Sequence, residues 1–337
     1  MDKLSANTKT KNLEKSVCVE ELAGGGNSTS PSCYREGMML ELNNKKRFVH
    51  QDEMRKLCEK GYLSDTDIFL MRKLYEYTYL TRYILSQAMN LDVAIPLEYK
   101  RSNYKQRINK MIHAGIILEY YITYPDTEEH RTRTPAYLSL SEGGRIFLQK
   151  RESSILKRPF FRSKDIVGKP NIDELLKKVA FNQFHIQFMA QQGVNMNSIR
   201  LDVMLKDAGR PCCIEGVYNF NKESALAGVS LVAIPVRSNV NSEKEVIRKI
   251  KACERYVASE KKEKLFRSPI YILISENADQ CNYLERKIRG GGIPRRVPVF
   301  YIVDRCTFRD NILESLMEIV THEKNGYEII MQKLENE

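Results

Sequence analysis

The stretch Ser102–Ile117, SNYKQRINKMIHAGII, decides how this chain is read. Tyr104, Ile108, Met111 and Ile112 recur at near-helical spacing, so one side of a short helix can be buried. Asn103, Lys105, Gln106, Arg107, Asn109 and Lys110 fall mainly on the other side, and no acidic residue occurs from Lys100 to His113. Asn and Gln can pair with adenine edges, and Arg and Lys with guanine edges or phosphates. A helix packed on one side and offering amides and cations on the other suits a DNA groove. A solvated helix face is the alternative, because charge runs commonly face water.

The surroundings favour the groove. Upstream, Asp65-Thr66-Asp67 can cap a helix from about Asp67 to Tyr79, with Ile68, Met71, Leu74 and Tyr75 on its apolar face. Thr81 opens a second helix, TRYILSQAMNL, and Leu91–Pro96 turns into the third. Gly115 ends that helix. IILEYYITY then reads as a strand, Pro125–Pro135 as a polar tip (PDTEEHRTRTP) and AYLSLS as the returning strand. After Gly143-Gly144 comes a final helical turn, RIFLQK. Three helices and a hairpin in this order resemble a winged helix-turn-helix over about Ser64–Lys150. The resemblance implies that the third helix enters the major groove while the hairpin touches backbone or minor groove. Lys100, Arg101, Asn103, Lys105, Gln106, Arg107 and Lys110 would then contact DNA, with Arg131 and Arg133 on the wing beside Glu128 and Glu129. Some winged helices bind proteins instead, so a protein-docking role stays open.

The whole chain agrees with a polyanionic partner. It has 337 residues, room for two ordinary domains, and a formal charge of +11. No run is apolar enough to span a bilayer, and residues 1–30 lack an apolar signal core, so a cytoplasmic protein without a membrane partner is expected. The eight cysteines include no C-x-x-C pair and the five histidines are scattered, so neither a metal nor another cofactor is expected. Cys212-Cys213 sits in a strand-like segment and reads as a pair of reduced thiols.

Four segments follow. Residues 1–45, with Ala23–Ser32 reading AGGGNSTSPS, have the composition of a disordered tail. Residues 46–150 form the helix-and-hairpin unit, and 151–170 a basic linker. Residues 171–337 form a second domain. It opens with the helix NIDELLKKVAFNQFHIQFMAQQG, with Leu175, Val179, Phe184, Ile186 and Met189 as apolar positions. Three β-rich segments follow: SIRLDVMLKD, RPCCIEGVYNF and VSLVAIPVRSN. Next come a charged helix, the strand SPIYILISE, the helix ADQCNYLERKIRGG, the strand VPVFYIVD and a closing helix, DNILESLMEIVTHE. This order predicts an α/β sandwich with a mixed sheet. The segments 242–262 and 310–323, read as helices, offer surfaces for a homodimer.

That second half resembles the restriction-endonuclease-like fold, whose members carry an early Asp and an Asp/Glu-x-Lys triplet that hold a divalent cation. Asp202, in RLDVML, matches the first Asp. With the N-terminal unit, the segments RLDVML, CCIEGVYN, LVAIPVRS and VIRKIKACERYV are similar to the replication-relaxation proteins of bacterial plasmids and integrative elements. The triplet is missing, however. The strand reads Val232-Ala233-Ile234-Pro235-Val236-Arg237, without carboxylate or Lys. Asp202 and a displaced Glu215 would be the catalytic pair of an active nuclease, and two oxygen-bearing residues make a poor cage for magnesium. The expected function is therefore sequence-specific binding of double-stranded DNA as an accessory of a mobile element, alongside a replication or transfer protein. A nuclease is the competing class. There is no Walker A loop, G-x-G-x-x-G or G-x-S-x-G. In and just before IRGGGIPRR, Lys287, Arg289, Arg295 and Arg296 are candidate phosphate contacts, although a solvated, flexible loop is the favoured reading.

Overall fold

The computed structural model describes residues 37–44, 49–92, 95–100, 103–123, 135–152, 171–207, 210–238, 242–259, 267–308, 311–322 and 326–331. These form a mixed α/β protein with two sheets. The smaller is antiparallel, in the order β1-β3-β4-β2: β1 is Met39–Leu42, β2 Leu80–Thr81, β3 Ile117–Thr123 and β4 Tyr137–Leu140. Around it lie α1 (Gln51–Glu59), α2 (Asp65–Tyr77), α3 (Arg82–Leu91), the single turn α4 (Leu97–Lys100), α5 (Tyr104–His113) and α6 (Glu142–Arg151). Local chemistry sets the helix starts. Ser64 and Asp67 form a reciprocal capping box on α2, and Thr81, Asn103 and Ser141 each accept from a backbone N–H at the start of α3, α5 and α6.

The C-terminal part opens with α7 (Ile172–Gln192). The strands β5 (Met196–Asp207), β6 (Arg210–Phe220) and β7 (Ser230–Pro235) follow as an antiparallel meander. Helix α8 (Ser242–Ala258) leads to β8 (Pro269–Ser275), and α9 (Ala278–Gly290) to β9 (Val299–Val303). β7, β8 and β9 are mutually parallel, and β10 (Met317–His322) and β11 (Gly326–Met331) close the seven-stranded sheet antiparallel. One face of this sheet packs on α8 and α9 through Val246, Ile250, Cys253, Leu284 and Ile288, and the other on α7 through Ala180, Phe181, Phe184 and Phe188.

Helix α7 is apolar on two sides rather than one. Leu175, Leu176, Val179 and Ile186 join the N-terminal core, while the aromatic residues of the same helix join the large sheet. The sequence division at residue 171 therefore falls at the start of a helix that both parts share. Asn182 Nδ2 donates to Tyr77 O and Tyr79 O at 2.7 and 2.9 Å, and Gln183 Nε2 donates to Asp304 O and Thr307 Oγ1 at 2.6 and 2.7 Å.

Two expectations are corrected. The tail read as 1–45 ends sooner, because Met39–Leu42 pairs with Leu42 opposite Tyr120 and Met39 opposite Thr123. Asn44 then bridges the core: Nδ2 donates to Ile112 O and Ile117 O, and Oδ1 accepts from Glu119 N at 2.8 Å. MMLEL is short but alternates, and a sheet edge is available to it. Second, the described part of 310–323, residues 311–322, is not a helix. A 3-10 turn at Leu313–Ser315 precedes β10, whose β-branched run pairs with β11, so that segment supplies no helical dimer surface. The wing tip, 124–134, and most of the linker, 153–170, lie outside the described residues.

Two expectations for stability follow. Asn44→Ala should cost about 1–3 kcal/mol in chemical denaturation, because it strands buried backbone groups. His185 is buried on α7, 2.9 Å from the Tyr218 hydroxyl, with the Phe181 ring stacked at 6.0 Å between centroids. Burial first, then Lys178 and Lys73, push its pKa down from 6.5 to about 4. The unfolded chain thus binds the extra proton between those values. The stabilising contribution is complete above pH 6.5 and is lost as pH falls toward 4, with a slope approaching about 1.4 kcal/mol per pH unit. Denaturation midpoints against pH should flatten over that window in His185→Gln.

Candidate functional site

Helix α5 stands on the hairpin with Tyr104, Ile108, Met111 and Ile112 buried, as its sequence spacing requires. Its polar residues divide into two groups. Arg107 Nη1 donates to Ser64 Oγ at 2.6 Å and lies 3.3 Å from both carboxylate oxygens of Asp67. The Asp67 side chain is 0% exposed and that of Arg107 32%. Lys110 Nζ donates to Tyr62 O, lies over the Tyr62 ring at 4.0 Å and sits 4.0 Å from Asp67. A buried carboxylate needs compensating charge, and these two cations supply it. Arg107 and Lys110, expected to read bases, instead fasten α5 to the start of α2. Asn109 is engaged as well, accepting from Arg82 Nη1 at 2.7 Å, while Arg82 also grips the buried Glu119.

Lys105 and Gln106 remain exposed on α5, together with Asn103 at its start and His113 at its end. Asn103 Oδ1 accepts from Gln106 N at 3.2 Å and so caps the helix. Lys100 is half-buried on α4, beside Leu97, which is 71% exposed. Arg101, Arg131 and Arg133 lie outside the described residues. Sequence reasoning passes over His113. It stands seven residues after Gln106, two helical turns on, and that spacing alone puts the two on one face.

Asp202 and Glu215 come together across the β5–β6 pair. Leu201 pairs with Gly216 and Val203 with Ile214, so Asp202 falls opposite Glu215. Asp202 has φ +49°, in the left-handed region, and its carboxylate meets Lys178 of α7 at 3.2 Å. Glu215 Oε1 accepts from Lys249 of α8 at 2.5 Å, and Lys249 also meets Glu245 at 3.0 Å. Lys177 joins Glu245 at 2.8 Å and Asp173 at 2.9 Å. Burial pushes the Glu245 carboxyl up, but Lys249 and Lys177 outweigh it and bring it to about 2. Burial, Glu215 and Asp202 push the nearby Cys213 thiol up to about 12 against the two lysines. Each carboxylate in the cluster is thus engaged by an ammonium, a geometry that holds strands to helices. Among the described residues, no group of three or more His, Cys, Asp or Glu is arranged to hold a metal ion.

The end of β7 carries no carboxylate, as its sequence reads. Ile234, Pro235 and Val236 are buried, and Arg237 is 0% exposed. Its guanidinium donates to Asp304 Oδ2 at 2.9 Å and to Val236 O at 2.9 Å, with Glu276 3.8 Å away. Arg237 thus ties the ends of β7, β8 and β9 together. In the last turn of α9, Arg289 is structural too, bonded to Glu285 and to Pro294 O and Val297 O of the loop that follows. Lys287, Arg295 and Arg296 are exposed.

The two groups on α5 should separate by experiment. Arg107→Ala should cost about 1–3 kcal/mol in chemical denaturation, a buried-charge penalty discounted for the partial exposure of the arginine. Lys105→Ala/Gln106→Ala should stay within about 0.5 kcal/mol of the parent chain. Equal destabilisation in both would contradict the division. The chain matches no protein-family model, no curated protein and no solved structure.

Proposed function

We propose that this chain is a sequence-specific double-stranded DNA-binding protein acting as an accessory or regulator, with α5 entering the major groove. The observation that carries the reading is the exposed, acid-free face of α5, with Lys105, Gln106 and His113 standing on a helix whose other side is locked to the hairpin. Gln106 has the amide geometry to address an adenine edge, and Lys105 the charge to address guanine or phosphate. Locking by Arg107 and Lys110 supports it, since base readout needs a rigidly held helix. On this reading the N-terminal unit is a winged helix-turn-helix. The meander followed by the parallel β8 suits a restriction-endonuclease-like domain that has exchanged its metal carboxylates for lysine-paired ones. Membership of the replication-relaxation proteins of mobile elements, and work beside a replication or transfer protein, belong to the same proposal.

The test is selection of duplexes from a random pool by the full chain, followed by fluorescence anisotropy on the selected site. Lys105→Ala/Gln106→Ala should weaken that site by about 1–3 kcal/mol for each base edge no longer addressed, and should relax its preference. Failure to enrich any duplex, or unchanged preference in the double variant, would sink the assignment. With magnesium or manganese the duplex should remain intact. Cleavage abolished by Asp202→Ala would instead establish the nuclease.

A further inference from the structure

The outer layer of the large sheet carries a charge arrangement that the α5 site does not use. On α8, Lys244, Arg248, Lys251 and Arg255 recur at intervals of four, three and four residues, a stripe along one face. At 1.5 Å per residue this stripe is about 16 Å long. Beside it, α9 and the loop after it expose Arg286, Lys287, Arg295 and Arg296. The two elements are stitched together: Lys251 Nζ donates to Gly291 O at 2.8 Å. The approach is so close that a Cβ at Gly291 would lie 2.5 Å from Ile247 Cδ1.

Several acids of these helices are engaged toward the sheet. Glu245 meets Lys177 and Lys249, Glu254 accepts from the Tyr271 hydroxyl at 2.7 Å, and Glu285 accepts from the buried Tyr301 hydroxyl and from Arg289. These three carboxylates are engaged, whereas Lys244, Arg255, Arg286, Lys287, Arg295 and Arg296 are exposed and Arg248 is half-exposed, with Asp279 the exposed acid among the described residues of the two helices. Such an excess of surface cations produces a field that attracts a polyanion.

We infer that the α8–α9 layer is a second contact surface, one that grips the phosphate backbone of duplex DNA without reading its sequence. The α8 cations lie in a row on one helix face, which suits regularly spaced phosphates, and among the described residues the layer presents no array of amides to base edges. An anionic membrane is the poorer occupant. Interfacial helices insert an apolar face, whereas the apolar faces of α8 and α9 are spent on the sheet. Val257 and Tyr283 are the exposed large hydrophobics among the described residues of these two helices. The surface also lies apart from the N-terminal unit, which packs on α7 across the opposite face of the sheet. The inference rests on the proposed function only in taking duplex DNA as the polyanion.

The experiment uses the full chain and two duplexes, the selected site and a scrambled one, titrated by anisotropy over a range of salt. The variant is Arg248→Gln/Lys287→Gln/Arg295→Gln/Arg296→Gln, which spares the structural Lys251 and Arg289. The salt slope of log K should fall by about two to four units on both duplexes, at about 0.9 for each phosphate no longer neutralised, with the ratio between duplexes unchanged. A charge-keeping variant, Arg248→Lys/Arg295→Lys/Arg296→Lys, should retain the slope. An unchanged slope in the Gln variant, with an unchanged thermal midpoint, would overturn the inference. So would preferential binding to phosphatidylserine vesicles that the Gln variant loses while its DNA binding persists. Lys105→Ala/Gln106→Ala should alter the ratio between duplexes and largely keep the slope, so the failure of either surface is seen separately.

Discussion

A single helix has to satisfy two hydrophobic cores, and the rest of the molecule is arranged around that requirement. α7 places Leu175, Leu176, Val179 and Ile186 in one core and Ala180, Phe181, Phe184 and Phe188 in the other. Neighbouring amides bind the two sides. Asn182 reaches the backbone at and just after the end of α2, and Gln183 reaches the backbone after β9. A helix used this way cannot tilt toward one core without opening the other, because packed interiors tolerate little void. His185 belongs to the same constraint, held neutral among aromatic rings at the contact with Tyr77 and Tyr218.

Charge inside this protein is used chiefly as mortar. Asp67, Glu119 and Glu152 are buried in the N-terminal part and each is gripped by arginine. Glu215, Glu245, Asp304 and Glu276 serve in the same way around the large sheet. Breaking a buried pair is strongly destabilising even where its net contribution is modest. This determines which cations face outward: few on α5, more on α8, α9 and the loop that follows.

Much of the architecture is legible in the sequence because hydrophobic spacing and caps are local signals. The α2, α3 and α5 starts, the hairpin, the β5–β7 meander and the β8 and β9 strands all follow from such signals. The segment after Asp310 is not legible, since Ile312, Leu316 and Ile319 also fit helical spacing. The pairing of 317–322 with 326–331 resolves it, and that is not visible in either segment alone. Met39–Leu42 escapes for the same reason: four residues become a strand only when an edge receives them. On the candidate site, Lys105 and Gln106 are readable from helix periodicity. Arg107 and Lys110 share the same general face, and their commitment to Asp67 depends on a helix that lies far earlier, Asp67 and Arg107 being 40 apart. Arg237 reads in the sequence only as a charge at the end of a strand without carboxylates, and its burial as a crosslink to Asp304 depends on a residue 67 positions away.

The left-handed turn of the backbone at Asp202 has a further effect. Among the described residues, β5 is a border strand of the large sheet, with β6 as its one neighbour. A long, flat border invites a strand from another molecule to add itself. At φ +49° Asp202 leaves the extended backbone conformation within the strand, and Asp is among the few residues that tolerate it. The pairing with β6 runs on across that point, Leu201 opposite Gly216 and Val203 opposite Ile214. On the outer side, the same residue puts a locally non-extended backbone into the row of amides and carbonyls that an incoming strand would have to match.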